Sequence, residues 1–109
     1  MKSKYNNVKT VIDSLTFDSK REAKHYSELK IMEKAKLIKD LRLQVPYQLI
    51  PAQKGGLRKE LCMTYVADFV YYDIEECKTV IADSKGVKTP IYIIKRKLMK
   101  LMGNEVTEL

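Results

Sequence analysis

The chain has 109 residues, 45% of them hydrophobic and 32% charged, which fits a single globular domain over residues 1–109 and excludes both a disordered chain and a two-domain protein. Lysine and arginine outnumber aspartate and glutamate by 21 to 14, which gives a net charge of +7. This excess favours a nucleic-acid partner over a membrane surface, although many small basic domains bind no polyanion.

The N-terminal third of the sequence predicts a basic arm, a hairpin and a helix. Residues 1–9 are rich in lysine and asparagine without periodicity, and we expect them to form a flexible arm. Apolar triplets on either side of Asp13-Ser14 predict a small β-hairpin. Ser19 and Glu22 have the spacing of a capping box, which predicts a helix that runs to about Ala35. Its apolar positions recur at helical spacing: Ala23, Tyr26, Leu29 and Met32.

Three longer strands are predicted in the middle of the chain. Residues 41–50 alternate between apolar and polar, which predicts a strand that Pro46 breaks or confines to a sheet edge. Residues 51–59 contain adjacent glycines and basic residues and are predicted to be a loop. Residues 61–72 and 78–84 are strongly apolar and predict the central strands of a sheet.

A second helix is predicted to begin at Thr89 and Pro90, which are a cap residue and a proline in the first turn. Gly103 is the expected stop, and a short strand is expected at residues 105–107. We predict that the buried stripe of this helix consists of Ile91, Ile94, Leu98 and Leu101. The order of the elements predicts a mixed α/β fold.

The cysteines and the histidine argue against several kinds of site. Cys62 and Cys77 lack the spacing and the histidine partners of a zinc site. Without a signal sequence or a transmembrane run, they are expected to be reduced, partly buried thiols of a cytoplasmic protein. His25 is the only histidine, which leaves little for histidine-based catalysis.

Asp68 and Asp83 each lie within an apolar segment that is predicted to be a strand. The short connection predicts an antiparallel hairpin centred between Glu75 and Glu76, and counting outward from that centre sets Asp68 opposite Asp83. Lys85 is expected on the same face as Asp83, because strand side chains alternate. A slip of one residue in the register would separate the carboxylates.

Two facing carboxylates predict a site for Mg²⁺ or Mn²⁺. They repel each other on a half-buried sheet unless a cation lies between them, and both ions prefer oxygen ligands. A metal with Lys85 beside it suits phosphodiester hydrolysis, because the lysine can orient the attacking water and stabilise charge on phosphorus. The alternative is that Asp83 and Lys85 are solvated neighbours, since Asp-x-Lys is a common tripeptide.

Several short motifs are spread over nearly the whole chain: Lys4-Tyr5-Asn6-Asn7, Phe17-Asp18-Ser19-Lys20-Arg21-Glu22-Ala23, Leu43-Gln44-Val45-Pro46, Tyr65-Val66-Ala67-Asp68-Phe69, Asp83-Ser84-Lys85-Gly86, Thr89 and Lys95-Arg96-Lys97-Leu98. As a set, they resemble the small phage-encoded proteins of the DUF1064 type, which are similar to PD-(D/E)xK nucleases and Holliday-junction resolvases. The resemblance implies a restriction-endonuclease-like mixed β-sheet flanked by helices, and Mg²⁺-dependent endonuclease activity on branched DNA in phage recombination. It also implies a homodimer, because a junction is cut at two symmetric positions, and a location in the bacterial host cytoplasm, with no small-molecule cofactor.

The resemblance also assigns roles to the acidic residues. Glu22 corresponds to the acidic residue of the first helix, Asp68 to the aspartate of the second core strand, and Asp83-Ser84-Lys85 to the (D/E)xK tripeptide. These three carboxylates are the implied metal ligands and, together with Lys85, the implied catalytic residues. Ala82 departs from the family, which often has an acidic residue at this position.

A further set of residues is expected to bind DNA: Lys4, Asn6, Ser19, Lys20, Gln44, Thr89, Lys95 and Lys97. Gln44 corresponds to a glutamine that is frequent in related nuclease-like domains, and the lysines of the second helix are suited to phosphate contacts. Simpler explanations apply to the same positions. Glu22 completes a capping box with Ser19, Gln44 is a polar strand residue, Thr89 is a helix cap, and the lysines form a solvated face.

Three functions are therefore open from the sequence. The leading hypothesis is a metal-dependent DNA endonuclease, because two strand carboxylates and a lysine are expected to converge. The second is a phage DNA-binding protein that has the same fold and does not cut. The third is a small protein–protein adaptor with an incidental charge.

Overall fold

The fold is mixed α/β, and its elements follow the predicted order. The computed structural model describes residues 9–55 and 61–109, so most of the predicted basic arm, with Lys4 and Asn6, lies outside the described residues. The elements are β1 (Thr10–Ile12), β2 (Leu15–Phe17), α1 (Lys20–Lys34), β3 (Ile38–Ile50), β4 (Met63–Asp73), β5 (Lys78–Asp83), α2 (Pro90–Leu101) and β6 (Val106–Glu108).

A four-stranded sheet in the order β3-β4-β5-β6 is the centre of the fold. The first three strands are antiparallel, and β6 is parallel to β5. A parallel neighbour requires a crossover, which α2 provides. Pro46, which has no N–H to donate, lies on the edge strand β3 as predicted.

The two helices cover opposite faces of this sheet. Ala82 of β5 packs in the cluster that contains Tyr26 of α1, whereas the preceding Ile81 packs in the cluster that contains Met99 of α2. Because adjacent strand residues point to opposite faces, the sheet lies between the helices. Phe69 of β4, which is fully buried, belongs to the cluster under α1.

The first helix begins and ends close to the predicted residues. Ser19 is the N-cap, and its hydroxyl accepts a hydrogen bond from the Glu22 amide at 3.1 Å. The β1–β2 hairpin packs beside the helix, where the Tyr26 hydroxyl donates to Asp13 at 3.0 Å. Asp13 and Ser14 have φ angles of 53° and 64°, which a two-residue turn of type I′ requires.

The second helix has the predicted caps but not the predicted buried stripe. Thr89 accepts from the Tyr92 amide at 3.1 Å, and the chain turns away at Gly103 with φ of 89°. Tyr92 and Met99 are the side chains that α2 buries. The predicted residues are instead exposed or only partly buried: Ile91, Ile94, Leu98 and Leu101.

The buried face of α2 was predicted wrongly because this helix carries two apolar stripes. Tyr92 and Met99 are two turns apart and lie on one face, while the four predicted residues lie on another. Periodicity identifies a stripe but does not say which of two stripes faces the sheet.

The burial of the two cysteines also differs from the prediction. Cys62 and Cys77 are both free thiols, but they are exposed rather than partly buried. Cys62 precedes β4 and Cys77 lies in the β4–β5 turn, so both are on connections, where side chains are mostly solvated. Neither helix in the described ranges is long and apolar enough to cross a membrane.

Candidate active site

The pairing of β4 with β5 has the predicted register, and its last pair is Phe69 with Ala82. Asp68 and Asp83 are the next residues along these strands, so they meet where the two strands separate. The amide of Ser84 donates to Asp68 Oδ2 at 3.0 Å, which ties the end of β5 to the carboxylate on β4. The structure therefore brings together the two aspartates that the sequence placed opposite each other.

The sheet is distorted at the same level. Ala67 packs under α2 and Phe69 packs under α1, so the alternation of β4 breaks around Asp68. On the neighbouring strand, Gln44 has φ of 51°, which is uncommon for a residue with a side chain. Irregularities of this kind re-aim side chains next to functional sites. Here Gln44 Nε2 donates to Glu22 Oε1 at 2.9 Å and to Asp68 Oδ1 at 3.3 Å.

Asp83 is the most unusual residue of the site. Its side chain is 0% exposed, and its Oδ2 accepts a hydrogen bond from the Tyr65 hydroxyl. Its Oδ1 is buried without a hydrogen-bond partner among the described residues. The ammonium group of Lys85 lies close by, with its Nζ 3.5 Å from this oxygen. A buried carboxylate oxygen that lacks a donor is costly.

The electrostatics of the site favour the uptake of a positive charge. Burial, the proximity of Asp68 and the charge of Asp18 raise the pKa of Glu22 to about 7. Burial and the proximity of Asp68 also raise the pKa of Asp83 well above its ordinary value, and the Tyr65 hydrogen bond and the charge of Lys85 oppose this rise only in part. Both carboxylates thus resist ionisation unless a cation compensates them.

Two aromatic side chains support the site from the α2 side. Lys85 Nζ lies over the Tyr92 ring, 5.1 Å from its centroid, and the Tyr92 hydroxyl donates to Glu108 of β6 at 2.9 Å. Tyr65 supplies the hydrogen bond to Asp83. Sequence reasoning missed these roles of Tyr65 and Tyr92, because strand and helix tyrosines are usually core residues and no spacing distinguishes these two.

His25 is a third residue that the sequence did not single out. Its Nδ1 lies 2.7 Å from the Ser84 hydroxyl, so it joins α1 to the end of β5. Its position three residues after Glu22 on a helix places both side chains on one face. That spacing is the sequence signal that could have linked His25 to the site.

A cleft of about 410 Å³ opens above these residues. Its walls are formed by Asp18, Ser19, Arg21, Glu22, Asp68, Ser84, Lys85, Gly86, Val87, Thr89 and Tyr92. Ser19 and Thr89 are the caps of the two helices, so both helix N-termini border the cleft. Helix N-termini favour anions, and Arg21 and Lys85 add positive charge.

The other predicted DNA-binding residues are less central. Lys20 is exposed in the first turn of α1, whereas Lys95 and Lys97 lie on α2 away from the cleft. Ser19 and Thr89 cap helices, as the simpler explanation holds, and also border the cleft.

Within residues 9–55 and 61–109, no three His, Cys, Asp or Glu side chains are arranged as a ready-made metal site. The chemistry of the donors nevertheless fits a divalent ion, because Asp68 and Asp83 adjoin and one buried oxygen of Asp83 is unpaired. Glu22 is connected to Asp68 through Gln44. Oxygen-rich sets of this kind suit Mg²⁺ and Mn²⁺.

Removing the Tyr65 hydroxyl tests how much its hydrogen bond to Asp83 stabilises the protein. Tyr65→Phe leaves both buried oxygens of Asp83 without a donor, and we expect it to lower the free energy of unfolding by about 1–3 kcal/mol at pH 8. Urea unfolding with EDTA present measures this change. Tyr71→Phe is the matched control, because Tyr71 is buried in the same strand and is not hydrogen-bonded to a described residue. An equal loss in both variants would contradict the special role of Tyr65.

A family model described as "Protein of unknown function (DUF1064)" matches residues 2–108. Neither the curated proteins nor the solved structures contain a significant match.

Proposed function

Since the chain belongs to the DUF1064 family, whose function is not known, we propose a function from the site: a metal-dependent endonuclease that hydrolyses phosphodiester bonds in DNA. The observation that carries the proposal is the fully buried Asp83, whose unpaired oxygen lies beside Lys85 and next to Asp68. A structural ion pair would not require a second carboxylate at the same place.

The energetic cost of the arrangement supports a ligand. Glu22 and Asp83 are both buried and both have raised pKa values, and Asp68 adds negative charge to each. Lys85 alone does not balance three carboxylates. Glu22 lines the cleft, and a carboxylate with a perturbed pKa in such a position is typical of functional sites.

The residues divide into distinct roles. Asp68 and Asp83, with Glu22 nearby, would hold Mg²⁺ or Mn²⁺. Such an ion neutralises a phosphate oxygen and lowers the pKa of a bound water when it is present. Lys85 stands at the cleft wall, where its amine can orient the attacking water and stabilise charge on the phosphorus. Gln44 holds two of the carboxylates in place through its amide.

DNA is the proposed substrate because of the charge around the cleft. The chain carries a net charge of +7, and Arg21, Lys85 and two helix N-termini border the opening. These groups suit phosphates and carry no sequence information. The helix-flanked mixed sheet supports a restriction-endonuclease-like architecture. Branched DNA, cut by a homodimer, is the finer proposal that follows from the resemblance to junction resolvases.

A DNA-binding protein that does not cut is the second candidate. The observation that favours it is that the described residues contain no preassembled group of three metal ligands. Arg21, Lys85 and the two helix N-termini at the same cleft would then bind a phosphate without hydrolysing it.

One experiment separates these functions. The purified protein is incubated with a labelled four-way junction and with linear duplex DNA, with EDTA, Mg²⁺ or Mn²⁺. We expect products only with metal, and more from the junction. DNA binding that weakens with salt but gives no products under any condition would favour the second candidate. The absence of both DNA binding and products would favour a protein–protein adaptor and would reject the two DNA-related candidates.

A further inference from the structure

The second helix exposes an apolar stripe that the described part of the chain does not cover. Ile91 is 65% exposed, Ile94 54% and Leu101 83%. Leu98 is partly buried and lies outside both core clusters. We call these four residues the α2 seam.

The spacing of the α2 seam is that of a helix-pairing surface. Its residues follow one another at intervals of three, four and three, which is the a and d pattern of a heptad. Met102 extends the surface at the C-terminal end of α2 and is 51% exposed. A regular apolar line on one helix face fits a partner helix better than an irregular loop.

The charges that border the seam are all positive. In the heptad that begins at Ile91, Lys95 occupies the e position and Lys97 the g position. α2 contains no acidic residue, and among its basic residues only Arg96 has a salt-bridge partner within residues 9–55 and 61–109, namely Glu108. Residues at e and g select the partner of a helix through charge.

We propose that the α2 seam docks an amphipathic helix of another protein, whose apolar face is bordered by glutamate or aspartate. Lys95 and Lys97 would pair with the acidic residues while the seam residues contact the apolar face. A second copy of the chain is disfavoured here, because each copy would bring the same two lysines and a net charge of +7. The homodimer proposed above would therefore use another surface. DNA offers phosphates to the lysines but nothing to the apolar residues.

The area of the seam sets the expected strength of binding. Large aliphatic side chains exposed to this degree present on the order of 400 Å² of apolar surface, which is within the range of functional patches on monomers. That is about half of what one partner contributes to a standard interface. We therefore expect reversible binding with a Kd on the order of micromolar.

The position of the seam relates it to the cleft. Ile91 lies next to Tyr92, which lines the cleft, but Ile91 itself does not. A helix on the seam would thus sit beside the cleft and leave its opening free. The inference holds whether or not the chain cuts DNA.

The test uses synthetic peptides and the full chain. The acidic probe is a helical peptide with leucine at a and d and glutamate at e and g. One control peptide has the same composition in scrambled order, and another has lysine at e and g. We expect the acidic probe to bind at least about tenfold more tightly than either control in fluorescence anisotropy, a difference of about 1.4 kcal/mol.

Variants of the chain decide whether the seam is the site. Ile94→Ser and Leu101→Ser should each lower the affinity for the acidic probe at least tenfold. Ile31→Ser, at an isoleucine that is 67% exposed on α1, should leave this affinity unchanged. Exchanging Lys95 and Lys97 for glutamate should transfer the preference to the lysine peptide. Circular dichroism confirms that each variant is folded.

Two results would overturn the proposal. The first is equal binding of the acidic probe and its scrambled control. The second is a dimer of the chain, measured by analytical ultracentrifugation, that Leu101→Ser dissociates and Ile31→Ser does not. The latter would make the seam a contact between two copies.

Discussion

Asp83→Asn is expected to abolish DNA cleavage without destabilising the protein at pH 8. The substitution removes the charge that the proposed metal requires, and we expect the rate to fall by about 10²–10³-fold or more. The same change removes a buried carboxylate whose pKa is raised by burial, so the metal-free variant should unfold at the same urea concentration as the natural protein or a higher one. A functional residue held at a cost to stability behaves in this way.

The matched control for charge is Glu75→Gln, which removes a carboxylate from the exposed turn of the same hairpin. Lys85→Met should reduce cleavage to a similar degree, and Lys78→Met at the other, exposed end of β5 should leave it unchanged. Rates are measured at saturating Mg²⁺ on the preferred substrate. Retention of full activity by Asp83→Asn would refute the proposed site. Equal losses of cleavage activity in Lys85→Met and Lys78→Met would also refute it.

The metal-free protein is expected to lose stability as the pH rises from about 4.5 to about 7. Burial raises the pKa of Glu22 from 4.5 to about 7 in the folded protein, and burial raises that of Asp83 in the same direction. Between the unfolded and folded pKa values, the folded state binds more protons, so removing protons favours unfolding. Each carboxylate contributes at most about 1.4 kcal/mol per pH unit to this loss.

Urea unfolding in EDTA at several pH values measures the slope. Glu22→Gln and Asp83→Asn should each flatten it, whereas Glu75→Gln should not. Mg²⁺ should add stability, and the gain should increase with pH over the same range, because only the ionised carboxylates bind the ion. The raised pKa values would be contradicted if the stability of the metal-free protein rose with pH. They would also be contradicted if neither Glu22→Gln nor Asp83→Asn changed the slope of stability against pH.

Much of the backbone could be predicted because the relevant signals are local. The capping residues Ser19 and Thr89 fixed the starts of both helices, and the short β4–β5 connection fixed the register that brings Asp68 to Asp83. These features depend on neighbours in sequence, so spacing alone reveals them.

The remaining features depend on packing between elements. Which stripe of α2 faces the sheet was decided by Tyr92 and Met99, and nothing along the helix ranks them above Ile91. The contact of Tyr65 with Asp83 joins residues that lie 18 apart in the sequence. Such contacts follow from how the strands twist and where they separate, which no single segment contains.

The distortions of β3 have a consequence beyond the site. Asp40 and Gln44 both have positive φ angles, and Pro46 follows two residues later. They interrupt the outer rim of the sheet, where a straight strand of 13 residues would invite molecules to stack edge to edge into aggregates. The backbone irregularity that turns Gln44 toward the carboxylates thus also keeps this rim from recruiting foreign strands, and straightening it would threaten solubility together with the site.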